Sequence, residues 1–306
     1  MTMKKFFKRL LIFLVIIFIL ADLGVAYYLF DFAFSKTGFS AKGSNHPLTS
    51  AQVWAKKQKQ TTWRQTSSDK LHLKARYYPA VHPTKKTIVV VHGFGDNSLT
   101  LGNYIRFFHQ AGYNVLAPDN RSHGRSQGKY IGFGWQDRQD IQGWLQQLIH
   151  RQGSKSQIGL FGVSMGASTV MYYLGLHVPP QVKVAVADCG YASINGELSY
   201  ELKQMFNLPS VPLIPTANLY TQMFAHYNLY DGNTSQTLKQ NQVPLLIIHG
   251  TKDTFVPTAN AQINYRNDAG PKKLWLVKGA KHAQSFQKQP EKYQQQVLSW
   301  TEKYLD

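Results

Sequence analysis

The chain has 306 residues, 43% of them hydrophobic and 13% aromatic, with 34 Lys and Arg against 16 Asp and Glu and a formal charge of +18. This describes one large globular domain or two ordinary ones, without low-complexity tracts or internal repeats, long enough to bury a core unaided by disulfides. The single cysteine, Cys189, excludes an intramolecular disulfide; no Cys/His cluster has zinc spacing and no acidic run has the calcium-loop pattern, so neither metal nor cofactor is expected.

The chain opens with Lys4, Lys5, Lys8 and Arg9, followed by an apolar run from Leu10 to Phe30 that only Asp22 interrupts. At about 1.5 Å per helical residue, the run matches a hydrocarbon layer roughly 30 Å thick. A secretory signal is the competing reading, with Gly24-Val25-Ala26 as a weak cleavage site, but apolar residues continue past it through Tyr28, Leu29 and Phe34. Residues 1–35 are therefore read as an uncleaved, single-pass anchor in the cell membrane. Its basic flank stays in the cytoplasm, and everything after residue 35 lies outside. Residues 36–61 are polar, carry Gly38, Gly43 and Pro47, and are expected to form a tether with a short helix around Ala51–Gln58. Setting the four leading cations aside leaves 30 basic residues against 16 acids, or +14. These are scattered and accompany no recognised nucleic-acid motif. The expectation is a nonspecific attraction to anionic surface polymers or lipid headgroups, and no specific nucleic acid.

Residues 62–306 carry alternating strand and helix patterns. Leu71–Tyr78 alternates apolar and polar side chains, as a half-buried strand does. Further strands are read at Thr87–Val91, Tyr113–Ala117, Gln157–Phe161, Val182–Ala187, Pro244–Ile248 and Lys273–Val277, several of them continuous apolar runs suited to burial on both faces. Between them, Trp135–His150 places Ile141, Trp144, Leu145, Leu148 and Ile149 on one helical face. A last helix from Pro290 aligns Tyr293, Val297, Trp300 and Tyr304. This alternation implies a mainly parallel sheet with helices on both faces and chemistry-bearing loops at the carboxyl ends of the strands. Tyr191–Gln242 breaks the rhythm. Long, aromatic and holding Pro209, Pro212 and Pro215, it reads as a cap inserted over the sheet edge.

Gly162-Val163-Ser164-Met165-Gly166 lies between the apolar run IGLF and the helical segment ASTVMYYLGL. A sharp strand-to-helix turn leaves little room for a Cβ on either side of the serine, which then projects at a helix N-terminus that favours developing negative charge. His92-Gly93-Phe94-Gly95 follows the run TIVVV; its small residues let the chain turn a main-chain N–H toward Ser164, so the backbone amides of Phe94 and Met165 are the expected oxyanion hole. His92 is read as bracing that loop. Asp253, after the strand ending at Ile248, is the candidate acid, with Asp188 at the end of the preceding strand as its rival. His282, in a glycine-containing loop past the last strand, is the candidate base; His123, in Asp119-Asn120-Arg121-Ser122-His123-Gly124-Arg125-Ser126, is the main decoy. Ser164, Asp253 and His282 occur in the order Ser, Asp, His.

These motifs, from about Leu71 to the end, resemble the α/β-hydrolase superfamily, specifically serine hydrolases with an HGF-type oxyanion loop and a D-x-R-x-H-G-x-S loop. Ser122 departs from the family's usual glycine. The resemblance implies an α/β-hydrolase fold and acyl-transfer hydrolysis without naming a substrate; a small-molecule acyl substrate is expected, with a small- or medium-chain carboxylic ester favoured. Peptidase and thioesterase chemistry on the same triad, or an idle hydrolase fold acting as a surface binding protein, are the alternatives. Cap aromatics (Tyr200, Phe206, Tyr220, Phe224, Tyr227 and Tyr230) line an acyl pocket or simply pack the cap.

Overall fold

The computed structural model describes residues 3–38 and 47–305; residues 39–46 of the expected tether, Gly43 among them, lie outside the described residues. Among the described residues, eight strands run β1 (Thr61–Thr66), β2 (His72–Tyr78), β3 (Lys86–Val91), β4 (Asn114–Pro118), β5 (Gln157–Val163), β6 (Val182–Asp188), β7 (Leu245–Gly250) and β8 (Lys272–Val277). The helices are α1 (Met3–Phe34), α2 (Ser50–Lys57), α3 (Gly102–Gln110), α4 (Asp137–Gln152), α5 (Met165–Tyr173), α6 (Ile194–Phe206), α7 (Leu213–Tyr220), α8 (Thr234–Thr237), α9 (Ala259–Asn267), α10 (Ser285–Lys288) and α11 (Pro290–Glu302).

The strands form one sheet in the order β1-β2-β4-β3-β5-β6-β7-β8. β2 pairs antiparallel with both β1 and β4, and every other pairing is parallel. This is the α/β-hydrolase fold that the motifs implied. Successive β3 side chains alternate between two cores, as the strand period of two requires. Ile88 and Val90 pack with Ile105 and Phe108 of α3 and Tyr293 and Val297 of α11. Val89 and Val91 pack with Trp144 and Leu148 of α4 and Val170 of α5. Burial on both faces is why these strands read as unbroken apolar runs.

The edge strand β1 was not expected. Its sequence, TTWRQT, has a single large apolar residue, and the strand exists because the open edge of β2 pairs with it. Trp63 fixes that pairing by stacking on Tyr77, with ring centroids 4.6 Å apart, beneath the Arg151 guanidinium. The expected helix of the tether is present as α2, but it packs on α3: Ala51 and Ala55 are buried, and a Cβ at Gly102 would lie 2.8 Å from the Ala51 carbonyl. Part of the segment expected as a tether is therefore built into the body.

The apolar run Leu10–Phe30 falls within the longer helix α1, whose most apolar stretch has a mean hydropathy of 2.7 and is long enough to cross a membrane. Residues 3–21 are exposed, whereas Ala26, Phe30 and Phe34 are buried in a third core with Phe133, Met165, Ile214 and Tyr227. The expected boundary at residue 35 thus falls inside packed structure. Phe30 sits among Tyr130, Tyr220 and Phe224, Thr216 Oγ1 donates to Asp22 Oδ2 at 2.6 Å, and Tyr220 donates to the Leu23 carbonyl. α6, α7 and the π-turn after it (Thr221–Ala225) form the expected cap, and α1 is threaded against it.

Candidate active site

Ser164 stands between β5 and α5 with φ +55° and ψ −122°, a left-handed conformation that non-glycine residues rarely hold. The turn exists because its two glycines permit close approach: a Cβ at Gly162 would sit 2.2 Å from the Gly166 carbonyl oxygen, and one at Gly166 would sit 2.1 Å from that of Val91. The Ser164 N–H is tied to the Asp188 carbonyl at 2.8 Å, joining the turn to β6.

His282, in the loop after β8, approaches Ser164 from the far side of β7. Its Nε2 lies 2.9 Å from Ser164 Oγ and its Nδ1 lies 2.8 Å from Asp253 Oδ2. Asp253 Oδ1 accepts the N–H groups of Phe255 and Val256 at 3.0 and 2.9 Å. Burial works to raise the Asp253 pKa, but hydrogen bonds from His249 and His282 outweigh it and hold the group near 2. A serine, an imidazole and an ionised carboxylate therefore form one hydrogen-bonded chain. The imidazole nitrogen beside the serine is free to accept its proton when Nδ1 carries the hydrogen shared with Asp253.

The rivals fall elsewhere. Asp188 turns to the opposite side, accepting from Ser285 Oγ at 3.2 Å and Tyr293 Oη at 2.8 Å, and burial raises its pKa to about 6. His92 is fully buried, with Nδ1 2.7 Å from the Gly93 carbonyl and Nε2 accepting the Asn120 N–H at 2.9 Å. His123 accepts the Gly95 N–H through Nε2 and approaches the Arg121 carbonyl through Nδ1. Burial lowers both pKa values to about 4, so these histidines are neutral braces of the HGFG loop. That loop abuts the serine: a Cβ at Gly93 would lie 3.3 Å from Ser164 Cβ. Phe94 and Met165 both line the space above Ser164, and Met165 opens α5, where N–H groups have no intrahelical acceptor.

The D-x-R-x-H-G-x-S loop is held by a buried fork in which Arg121 Nε and Nη2 each donate to Asp140 at 2.8 Å. Ser122 takes φ +64°, the conformation that suits glycine, and its hydroxyl donates to the Tyr130 carbonyl. Among the described residues, Cys189, Asp253 and His282 form a cluster of metal-ligand type. Burial, then the charges of Asp188 and Asp253, drive the Cys189 thiol pKa well up, and Asp253 and His282 are already bonded to each other at 2.8 Å.

Several residues of the site carried no sequence signal. His249 Nε2 lies 3.3 Å from Asp253 Oδ2 and 2.8 Å from the Val256 carbonyl, supporting the acid from four residues upstream. Glu197 and Glu201, one turn apart on α6, face the space above Ser164, joined there by Phe32 and Ala33 of α1, Phe133, Leu198, Met205 and Phe255. Neither Glu197 oxygen has a hydrogen-bond partner among the described residues, and burial, then the charge of Glu201, push its pKa up to about 9.

Comparison with known proteins agrees with the fold. A family model described as serine aminopeptidase, S33, matches residues 82–214. The uncharacterized protein YqkD of Bacillus subtilis (strain 168) is 30% identical over 230 residues, 75% of each chain. Among solved structures, the Pyrococcus furiosus esterase Pf2001 superposes with a TM-score of 0.68 at 23% identity, covering 86% of this chain and 98% of that one. The Pyrococcus horikoshii acylaminoacyl peptidase gives 0.62 at 18% identity, covering 83% of this chain and 43% of that one. The chain belongs to the α/β-hydrolase family of serine hydrolases.

Proposed function

We propose that this is a membrane-anchored carboxylic ester hydrolase working through an acyl-enzyme on Ser164. The observation that carries the reading is the chain Ser164–His282–Asp253, with bonds of 2.9 and 2.8 Å, opening into a space walled by Phe32, Phe94, Phe133, Leu198, Met205 and Phe255. His282 Nε2 takes the Ser164 proton as Oγ bonds to the ester carbonyl carbon. The resulting oxyanion is stabilised by the amides of Phe94 and Met165. Collapse breaks the bond to the leaving alkoxide, which takes the proton from His282 and departs as an alcohol. Water, deprotonated by His282, then adds to the acyl-serine, and collapse frees the carboxylic acid and Ser164. Asp253 stays charged throughout and stabilises the imidazolium. α1 is read as the uncleaved anchor, with its basic flank cytoplasmic and the hydrolase body outside.

The test uses the full chain in detergent with nitrophenyl esters and a fluorophosphonate probe, beside Ser164→Ala. Turnover and labelling are expected in the parent and absent in the variant; equal turnover by both proteins refutes the reading.

Glu197 and Glu201 favour a second reading. Two carboxyl groups above the serine, once ionised, suit the ammonium of a peptide N-terminus, in keeping with the aminopeptidase description of the family model. Aminoacyl coumarylamides distinguish it: their cleavage, lost in Glu197→Gln while ester turnover persists, favours the peptidase.

A further inference from the structure

The anchor helix and the space above Ser164 are not separate. Phe32 and Ala33, on the last turn of α1, form part of that space, and beyond them a second apolar space lies between α1, α6 and α7. The two share Phe32, Ala33, Leu198, Glu201 and Met205, so they adjoin at the end of α1, and the second extends back along the helix to Leu29, Ile214 and Ala217.

Length decides where the membrane must lie. The basic flank ends at Arg9, so the hydrocarbon span starts near Leu10. Only residues 10–21 of the apolar run are wholly clear of the body, which amounts to about 18 Å of helix against a layer of roughly 30 Å. The span is complete only if it continues to about Phe30, through the stretch already packed on α7. With α1 as the proposed anchor and the body outside, that places the cap in the outer leaflet. Its surface agrees: Thr216 and Tyr220 bond to α1, while Leu219 and Met223, close by on α7 and its π-turn, are 58% and 62% exposed, with Met205 and Val211 also bare. Thr216 caps the Asp22 carboxylate, the one charge inside the span.

We propose that the substrate is a bilayer-borne acyl ester, which reaches Ser164 sideways from the outer leaflet with its acyl chain lying along Leu29, Phe32 and Ala33 between α1 and the cap helices. This rests on the ester-hydrolase reading of Ser164 and names where its substrate is drawn from. A polar headgroup then stays at the aqueous side, and the chain never crosses water.

The experiment uses the full chain reconstituted into phosphatidylcholine vesicles, first checked for fluorophosphonate labelling at Ser164. Three readouts follow. Nitrophenyl esters are compared over increasing chain length; kcat/KM is expected to climb about fourfold per methylene until the track is filled. Leu29→Trp, which narrows the track, is expected to cut the decanoate-to-acetate ratio at least tenfold. Met223→Cys, labelled with an environment-sensitive dye (the native Cys189 being buried), is expected to be quenched by spin-labelled lipid and shielded from a water-soluble quencher. A ratio unchanged in Leu29→Trp, or a dye quenched only from water, overturns the inference. If Ser164 is labelled and short soluble esters turn over while vesicle-borne esters do not, the inference fails and the hydrolase reading stands. If Ser164 is not labelled, both fail.

Discussion

Glu197 offers the most quantitative test of the site. In an unfolded chain its carboxyl titrates near 4.5, whereas in the folded protein burial, reinforced by Glu201, moves it up to about 9. Below 4.5 both states are protonated and the group contributes no pH dependence. Above that, the folded state holds a proton that the unfolded state has released, so stability falls as pH rises, by about 1.4 kcal/mol per pH unit, until the folded group itself ionises. Glu197→Gln keeps the shape and removes the titration. Measured as thermal or denaturant midpoints of the full chain in detergent, the variant's stability relative to the parent should grow by roughly 4 kcal/mol between about pH 5 and about pH 8. The slope is the diagnostic, because burying an amide shifts the whole curve by a constant. Turnover of a neutral ester should also fall in the parent as pH nears 9, when a negative charge enters an apolar pocket, and the variant should lack that fall. A stability difference that stays flat across this range refutes the assignment of Glu197 as a proton-bound residue of the pocket.

Other substitutions separate the roles of neighbouring groups. Asp253→Asn should lower kcat by about 10⁴-fold by releasing His282 from its productive tautomer, whereas Asp188→Asn should change stability and leave kcat within tenfold; the reverse ranking of measured rates would reassign the acid. Gly166→Ala forces a Cβ to within 2.1 Å of the Val91 carbonyl, a backbone clash costing about 3 kcal/mol or more, visible as loss of cooperative unfolding; a variant that folds normally would show that the turn relaxes. Removing residues 1–35 uncovers Phe133, Tyr220 and Tyr227, so the truncated protein is expected to aggregate or bind a hydrophobic dye, and a monodisperse, fully active truncation counts against α1 as part of the body. Acid should weaken the fold through Asp253: its pKa is depressed from 3.8 to about 2, so its contribution is complete above 3.8 and lost as pH falls through about 2, a loss that Asp253→Asn should lack.

Much of the architecture was legible because it is written in local pattern. The central strands announce themselves as apolar runs, since each of their faces meets a helix layer, and the Gly-x-Ser-x-Gly turn is legible because backbone crowding at Gly162 and Gly166 admits no Cβ. The order of Ser164, Asp253 and His282 after β5, β7 and β8 survives in sequence because each residue needs a loop at a strand's carboxyl end. β1 was not legible: a polar edge strand with one tryptophan follows its neighbour's open hydrogen bonds and has no pattern of its own.

The sequence by itself determined the fold class and a helix long enough to cross a bilayer, and it singled out Ser164 as the candidate nucleophile, because each of these depends on composition or spacing within one segment. The choice of Asp253 over Asp188 as the partner of His282 belonged to tertiary structure, since one acid ends β6, the other follows the adjacent β7, and only the direction of each carboxylate tells them apart. So did the burial of Glu197, and the use of Phe32 and Ala33 as walls of the space above Ser164, more than a hundred residues away in the chain. A helix records its own hydrophobicity in sequence, but the surface it packs against is set by what the rest of the chain leaves uncovered.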